Sequence, residues 1–186
     1  MLSFRHPTKI LISGPTQCGK TYFFKQILAH KLIQPQPSRI IYVNSERPPE
    51  PSEFPNIEFI QGISKRVETY ETIDPNERNL IVIDDQMGEA GPHPLIGSLF
   101  TKNSHHKNIT IIYIVQNLFD YGRHHRTISV NSHYLVLFKN TREQGQVHAL
   151  ASQVFPTNVK YLLGAFPDAT RSKSGYLFLH SHPNTY

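Results

Sequence analysis

The sequence predicts a three-layer α/β domain, a mostly parallel sheet flanked by helices. Two patterns carry that prediction. Six short runs are β-branched and almost continuously apolar: KILIS at 9–13, IIYV at 40–43, LIVID at 80–84, ITIIYIV at 109–115, YLVLF at 134–138 and YLFLH at 176–180. Continuous rather than alternating apolarity marks strands buried on both faces, the habit of parallel sheets covered by helices. Between several of these runs, apolar residues recur at three- and four-residue steps: Phe23, Phe24, Ile27, Leu28 and Leu32, then Val147, Leu150, Ala151 and Val154. Strand alternating with helix is the signature of the layered α/β class.

The punctuation agrees. Pro35 and Pro37 end the first helix before the strand at 40–43. RPPEPSEFP at 47–55 is too rich in proline for a helix or a central strand and reads as a surface loop, followed by a short edge strand at 57–60. GEAGPHP at 88–94 opens another loop behind the strand at 80–84. With 186 residues, no interdomain linker and no internal repeat, a single domain over 1–186 is expected.

Composition narrows the class. Apolar residues are 38% and charged residues 18%, which excludes a disordered chain. No window approaches the roughly 18 apolar residues of a membrane span, and MLSFRHPTKI has no apolar signal region, so a soluble intracellular protein without a membrane partner is expected. Cys18 is the only cysteine, which excludes an internal disulfide and a cysteine-built zinc site. The net charge is +5, compatible with an anionic partner but too modest to establish one.

The chemistry begins at Gly14-Pro15-Thr16-Gln17-Cys18-Gly19-Lys20-Thr21, which matches G-x-x-x-x-G-K-[ST] at every fixed position, with an apolar strand leading in and an amphipathic helix leading out. Glycines let the backbone turn its N–H groups inward as an anion nest, and the helix adds the positive end of its dipole. Lys20 would bridge β- and γ-phosphate oxygens and the Thr21 hydroxyl would ligate Mg²⁺, so ATP and Mg²⁺ are the expected cofactors of a P-loop NTPase fold. Cys18 lies beside the helix N-terminus, which would lower its thiol pKa. A redox brake and a small side chain at a variable loop position are the two readings, and the absence of a resolving cysteine favours the second.

The strand at 80–84 ends in two carboxylates, Asp84 and Asp85. In a parallel sheet the C-terminal strand ends face the ligand crevice, so Asp84 would hold Mg²⁺ through a water and Asp85 would orient or deprotonate the attacking water. A turn or helix cap is the plain alternative for each, and Glu89 is a reserve candidate for the base. The strand at 109–115 is followed by Gln116 and Asn117. An amide at that tip would hydrogen-bond the γ-phosphate or the lytic water; capping a turn is the alternative.

Two basic, histidine-rich segments flank that strand, Lys102-Asn103-Ser104-His105-His106-Lys107 and Arg123-His124-His125-Arg126. They suit contact with a phosphate backbone, and equally suit solvated loops; zinc is disfavoured because adjacent loop histidines lack i,i+4 spacing. Arg123, Arg126 and Arg142 are candidates for the positive charge that phosphate-loop ATPases receive from a neighbouring subunit, with ordinary surface arginines as the alternative.

Four stretches carry a resemblance: SGPTQCGKT at 13–21, LIVIDDQM at 80–87, LFTKNSHHKNITIIYIVQNLF at 99–119 and RTISVNSHYLVLFKNTRE at 126–143. On these the chain resembles the FtsK–HerA superfamily of DNA-pumping ATPases, and within it the genome-packaging ATPases of double-stranded DNA viruses, the poxvirus type and its Polinton and adintovirus relatives. The resemblance implies a RecA-like (ASCE) core with an extra strand between the two Walker strands. It implies a homo-oligomeric ring, pentamer or hexamer, that drives double-stranded DNA into a capsid at its portal vertex, in the nucleus or cytoplasm of a host cell during virion assembly. It further implies Lys20 and Thr21 on nucleotide and Mg²⁺, Asp84 as the Walker B acid, Asp85 as the catalytic carboxylate and Gln116 as the sensor. Many relatives carry Glu where Asp85 stands. Neither the nuclease activity of terminase motors nor a membrane anchor is expected.

The function expected is therefore an ATP-hydrolysing DNA translocase. Two alternatives share its loop and size: a nucleoside or nucleotide kinase, and a nucleotide-dependent DNA-binding subunit that does not hydrolyse ATP.

Overall fold

A computed structural model describes residues 2–44, 56–61, 72–84, 97–103, 107–118, 125–140 and 144–181. In chain order the elements are β1 (Phe4–Arg5), β2 (Lys9–Ser13), α1 (Lys20–Ala29), β3 (Ile33–Gln34), β4 (Arg39–Asn44), β5 (Ile57–Gln61) and β6 (Asn79–Asp84). A π-helical turn (Leu99–Asn103) follows, then β7 (Ile109–Val115), α2 (His125–Asn131), β8 (Tyr134–Phe138), α3 (Gln144–Val154), α4 (Val159–Ala169) and β9 (Tyr176–His180). Each apolar run of the sequence becomes a strand whose ends lie within one residue of the expected ones, and the edge strand at 57–60 is β5.

The main sheet has seven strands in the order β5-β4-β6-β7-β2-β8-β9. Every pairing is parallel except β8 with β9. β7 lies between β2, which leads into the Gly-rich loop, and β6, which ends in Asp84. Alternate residues serve opposite faces, as the pleat requires. Ile10, Ile12, Val82, Ile112 and Val136 meet Phe23, Phe24 and Ile27 of α1 on one side. Leu11, Ile81, Ile111 and Leu135 meet Phe100, Ile128 and Leu150 on the other. β2, β6, β7 and β8 are buried along their whole length, which is why they read as unbroken apolar runs.

The structure corrects several expectations. α1 ends at Ala29, well before Pro35: Lys31 takes a left-handed φ of 49° and the Leu32 N–H returns to the Ile27 carbonyl at 2.9 Å. Leu32 thus lies outside the helix, yet still packs on the α1 side of the core. β3 occupies the two positions before Pro35, where the helix was expected to continue. α4 escaped the sequence reading because Pro167 interrupts its pattern; the proline cannot donate to the carbonyl four residues back, but only Asp168 and Ala169 of the helix follow it, and Leu162 anchors the helix. Lys102 and Asn103 belong to the π-helical turn, and His125 and Arg126 open α2. The loops read at 47–55 and 88–94 lie outside the described residues.

Below the sheet, at the N-terminal strand ends, a neutral network joins distant segments. The Thr8 N–H donates to Thr110 Oγ1 at 3.2 Å; that hydroxyl lies 2.7 Å from His6 Nδ1; His6 Nε2 lies 3.0 Å from Asn108 Oδ1; and Asn108 Nδ2 donates to the Glu77 carbonyl. The chain closes if Nε2 carries the ring proton and Nδ1 accepts from the threonine hydroxyl. Burial lowers the His6 pKa, opposed by the Asn108 hydrogen bond and assisted by the Arg78 charge.

At the opposite edge, Phe138 forms the floor of the Gly-rich loop. A Cβ on Gly14 would stand 2.6 Å from Phe138 Cβ and 2.7 Å from Cys18 Sγ, so only glycine fits there. Gly19 has φ +113°, the left-handed conformation from which α1 starts, and it too lies over the Phe138 ring.

Two predictions follow from these edges. Because the folded-state pKa of His6 lies below the ordinary value of about 6.5, its contribution is complete above that pH and is lost as pH falls through the depressed value, with a slope of at most about 1.4 kcal/mol per pH unit for one proton. Denaturant unfolding between pH 7.5 and 5 reads this slope, and His6→Asn should remove it. Gly14→Ala should destabilise the fold by about 1–3 kcal/mol, the usual cost of overpacking, measured by the same unfolding experiment at pH 7.5.

Candidate functional site

Three strand ends and one helix start converge on a cavity of about 240 Å³ lined by Thr16, Gln17, Gly19, Lys20, Thr21, Tyr22, Asp84 and Gln116. Strand order dictates the convergence. β2, β7 and β6 are consecutive neighbours, with Ser13 beside Val115 and Ile114 beside Asp84. The Gly-rich loop therefore faces the acid across one intervening strand, a gap of roughly 10 Å at normal strand spacing, with the β7 tip in the middle.

The loop is held from beneath and from the side. The Gly14 N–H donates to the Val115 carbonyl at 3.2 Å, tying the loop to β7, and the Thr16 hydroxyl donates to Gln116 Oε1 at 3.3 Å. Gln17 joins Gly19 in the positive-φ region, with φ 63°, which completes the turn into the helix. Among the described residues no side chain caps the start of α1, and no acidic residue occupies its first turn. Its leading N–H groups and the dipole's positive end thus face the cavity, the arrangement that receives an anion.

Lys20 is buried, and its ammonium donates to the carbonyls of Gly14 and of Pro15, the latter at 2.8 Å. Burial lowers its pKa, while Cys18 and Asp84 oppose the shift. An ammonium resting on two carbonyls of its own loop can exchange them for phosphate oxygens with little movement. Asp84 is 2% exposed, and it accepts a hydrogen bond from the hydroxyl of Tyr42 on β4. Burial first, and then the Asp84 charge and that hydrogen bond, push the Tyr42 pKa far up, so the phenol keeps its proton and donates. The Thr21 hydroxyl and the Asp84 carboxylate share the cavity, an all-oxygen donor set of the kind Mg²⁺ prefers.

Burial overturns the expectation for Cys18. It raises the thiol pKa, and this outweighs the lowering by Lys20 and by backbone hydrogen bonds. The thiol packs beside Gly14, where an added Cβ would stand 2.7 Å from Sγ.

Of the sequence candidates, Thr16, Gln17, Gly19, Lys20, Thr21, Asp84 and Gln116 line the cavity together, while Gly14, Pro15 and Cys18 build the loop behind it. Arg126 is exposed on α2 and is not a lining residue. Asp85, Glu89, Arg123, Arg142, His105, His106 and His124 lie outside the described residues. Four participants were missed by the sequence reading: Tyr42, Tyr22, Phe138 and Gln146. Gln146 on α3 donates to Asn117 Oδ1 and accepts from the Leu118 N–H at 3.3 Å, which fixes the segment behind Gln116. Only Tyr42 left a trace, as the single hydroxyl within IIYV. A second cavity of about 360 Å³, lined by Lys139, Val147, Leu163, Phe166 and Thr170 among others, contains none of the candidates.

No curated protein matches the chain by sequence. Among solved structures it is similar to the genome packaging NTPase B204 from Sulfolobus turreted icosahedral virus 2. The sulfate complex of that protein gives a TM-score of 0.68 at 13% identity, covering 96% of this chain and 94% of that one. The ATP-γS complex gives 0.65 at 11% identity, covering the same shares. B204 described as the DNA-packaging ATPase from Sulfolobus turreted icosahedral virus gives 0.60 at 15% identity, covering 95% and 94%. At these identities the likeness is one of fold. The sequence profile described as an AAA domain matches residues 6–163, most of the chain, and with the strand order and Gly-rich loop seen here the chain belongs to the AAA domain family.

Proposed function

We propose that this chain is an ATP-hydrolysing motor that moves double-stranded DNA into a viral capsid, of the FtsK–HerA type suggested by the sequence. The observation that carries the reading is the single cavity onto which an uncapped helix start, a buried lysine, a buried aspartate and an amide-tipped central strand all open. The fold shared with packaging NTPases over nearly the whole of both chains supports it.

In this reading each residue has a defined task. The N–H groups of residues 16–21 cradle the β-phosphate, and Lys20 shifts from the Gly14 and Pro15 carbonyls to β- and γ-phosphate oxygens. Thr21 and Asp84 hold Mg²⁺, which when bound neutralises charge developing on the β–γ bridge. Asp85 accepts the proton of the attacking water, with Glu89 as the alternative base. Gln116 contacts the γ-phosphate or the water while its carbonyl is already linked to Thr16, so loss of the γ-phosphate is felt by both the loop and β7. An arginine from a neighbouring subunit of a five- or six-membered ring, drawn from Arg123, Arg126 or Arg142, supplies positive charge from the open side. The basic segment at 102–107 contacts the DNA backbone, and the ring docks at the capsid portal.

The test is an ATPase assay on the purified chain at low salt, with and without duplex DNA. The expected result is hydrolysis stimulated by duplex DNA. Lys20→Ala should lower it on the order of 10²-fold or more, the scale set by removing one preorganised donor to developing charge. Phosphate transfer to an added nucleoside would favour the kinase alternative, and turnover indifferent to DNA would overturn the translocase reading.

A further inference from the structure

Tyr42 is a strand residue with no place in any of the motifs, yet it reaches the acid at the heart of the cavity. In the β4–β6 register Tyr42 sits opposite Val82 and Asn44 opposite Asp84. Tyr42 and Val82 share the core on the α1 side of the sheet, and Asp84, two residues beyond Val82, falls on that same side. The long phenol spans the diagonal and gives its proton to Asp84 Oδ2. The ring itself is clamped, with centroids 5.5 Å from Phe24 and 5.7 Å from Phe59, and Tyr42 is 1% exposed.

A carboxylate at a strand end can rotate about its last torsion, and a cation must stop that rotation in order to bind. Here the rotation is already stopped, by a donor that packing prevents from leaving. We infer that Tyr42 is a positioning residue for Mg²⁺: its hydroxyl fixes the plane of the Asp84 carboxylate, so that the magnesium-nucleotide complex meets a preorganised oxygen. The inference rests on the nucleotide reading of the cavity and adds to it a residue that touches neither nucleotide nor metal. A residue with a merely structural role would change stability alone; a positioning residue changes the benefit that Mg²⁺ confers.

The experiment is calorimetric titration of wild type, Tyr42→Phe and Ile27→Val with a non-hydrolysable ATP analogue, once in Mg²⁺ and once in EDTA. Tyr42→Phe keeps the ring and removes only the hydroxyl. It should leave the EDTA affinity unchanged and cut the gain in affinity from Mg²⁺ by about tenfold or more, the usual effect of losing a partner of a metal-binding residue. Ile27→Val loosens the same core but leaves the Phe24 and Phe59 clamp and the hydroxyl in place, and should keep the wild-type gain. An undiminished gain in Tyr42→Phe overturns the inference and leaves the functional reading standing. An equal loss in Ile27→Val also overturns it, because general packing would then be the cause. A wild-type chain that binds the analogue in neither buffer overturns the functional reading, and the inference with it.

Discussion

Desolvation of two opposite charges at one edge of a sheet is the constraint around which this molecule is built. A buried ammonium and a buried carboxylate are each costly to remove from water unless partners replace the lost hydration. Lys20 finds its partners in the carbonyls of its own loop, and Asp84 finds one in a phenol from the next strand. Across the cavity, the Asp84 charge also favours the charged lysine. The space between them is lined by N–H groups, hydroxyls and an amide, chemically suited to a triphosphate with its metal.

The remaining architecture reads as support for that edge. Strands buried on both faces give a rigid base, and the insertion of β7 between β2 and β6 sets the width of the gap. Phe138 lifts the Gly-rich loop from below, so close that Gly14 has no room for a side chain. Gln146 holds the segment behind the amide tip from the opposite face of the sheet. α3 is thereby linked through the end of β7 to the loop.

Much of this was legible in the sequence because it depends on local pattern. KILIS, LIVID and ITIIYIV announce doubly buried strands by composition alone, and the fixed residues of the Gly-rich loop carry their own conformational demands. What the sequence hid depends on pairing. The approach of Tyr42 to Asp84 requires β4 to lie beside β6 in one register, across a separation of 42 residues, and nothing in IIYV states that register. α4 was obscured by its own Pro167. The early end of α1 at Ala29 was obscured because Leu32, although outside the helix, still packs on the face that the helical spacing predicts. For Cys18 the helix terminus was visible in sequence, but the burial that outweighs it was not.

The central claim is that the cavity between Lys20 and Asp84 holds the phosphates of a magnesium-bound nucleoside triphosphate. A crystal structure with Mg²⁺ and a non-hydrolysable ATP analogue measures this directly. The account predicts the γ-phosphate within hydrogen-bonding distance of Lys20 Nζ and the Gln116 amide, with the cation between the Thr21 hydroxyl and Asp84. Phosphates seated elsewhere, for example in the cavity beside Lys139 and Phe166, with Lys20 still resting on the Gly14 and Pro15 carbonyls, would contradict it.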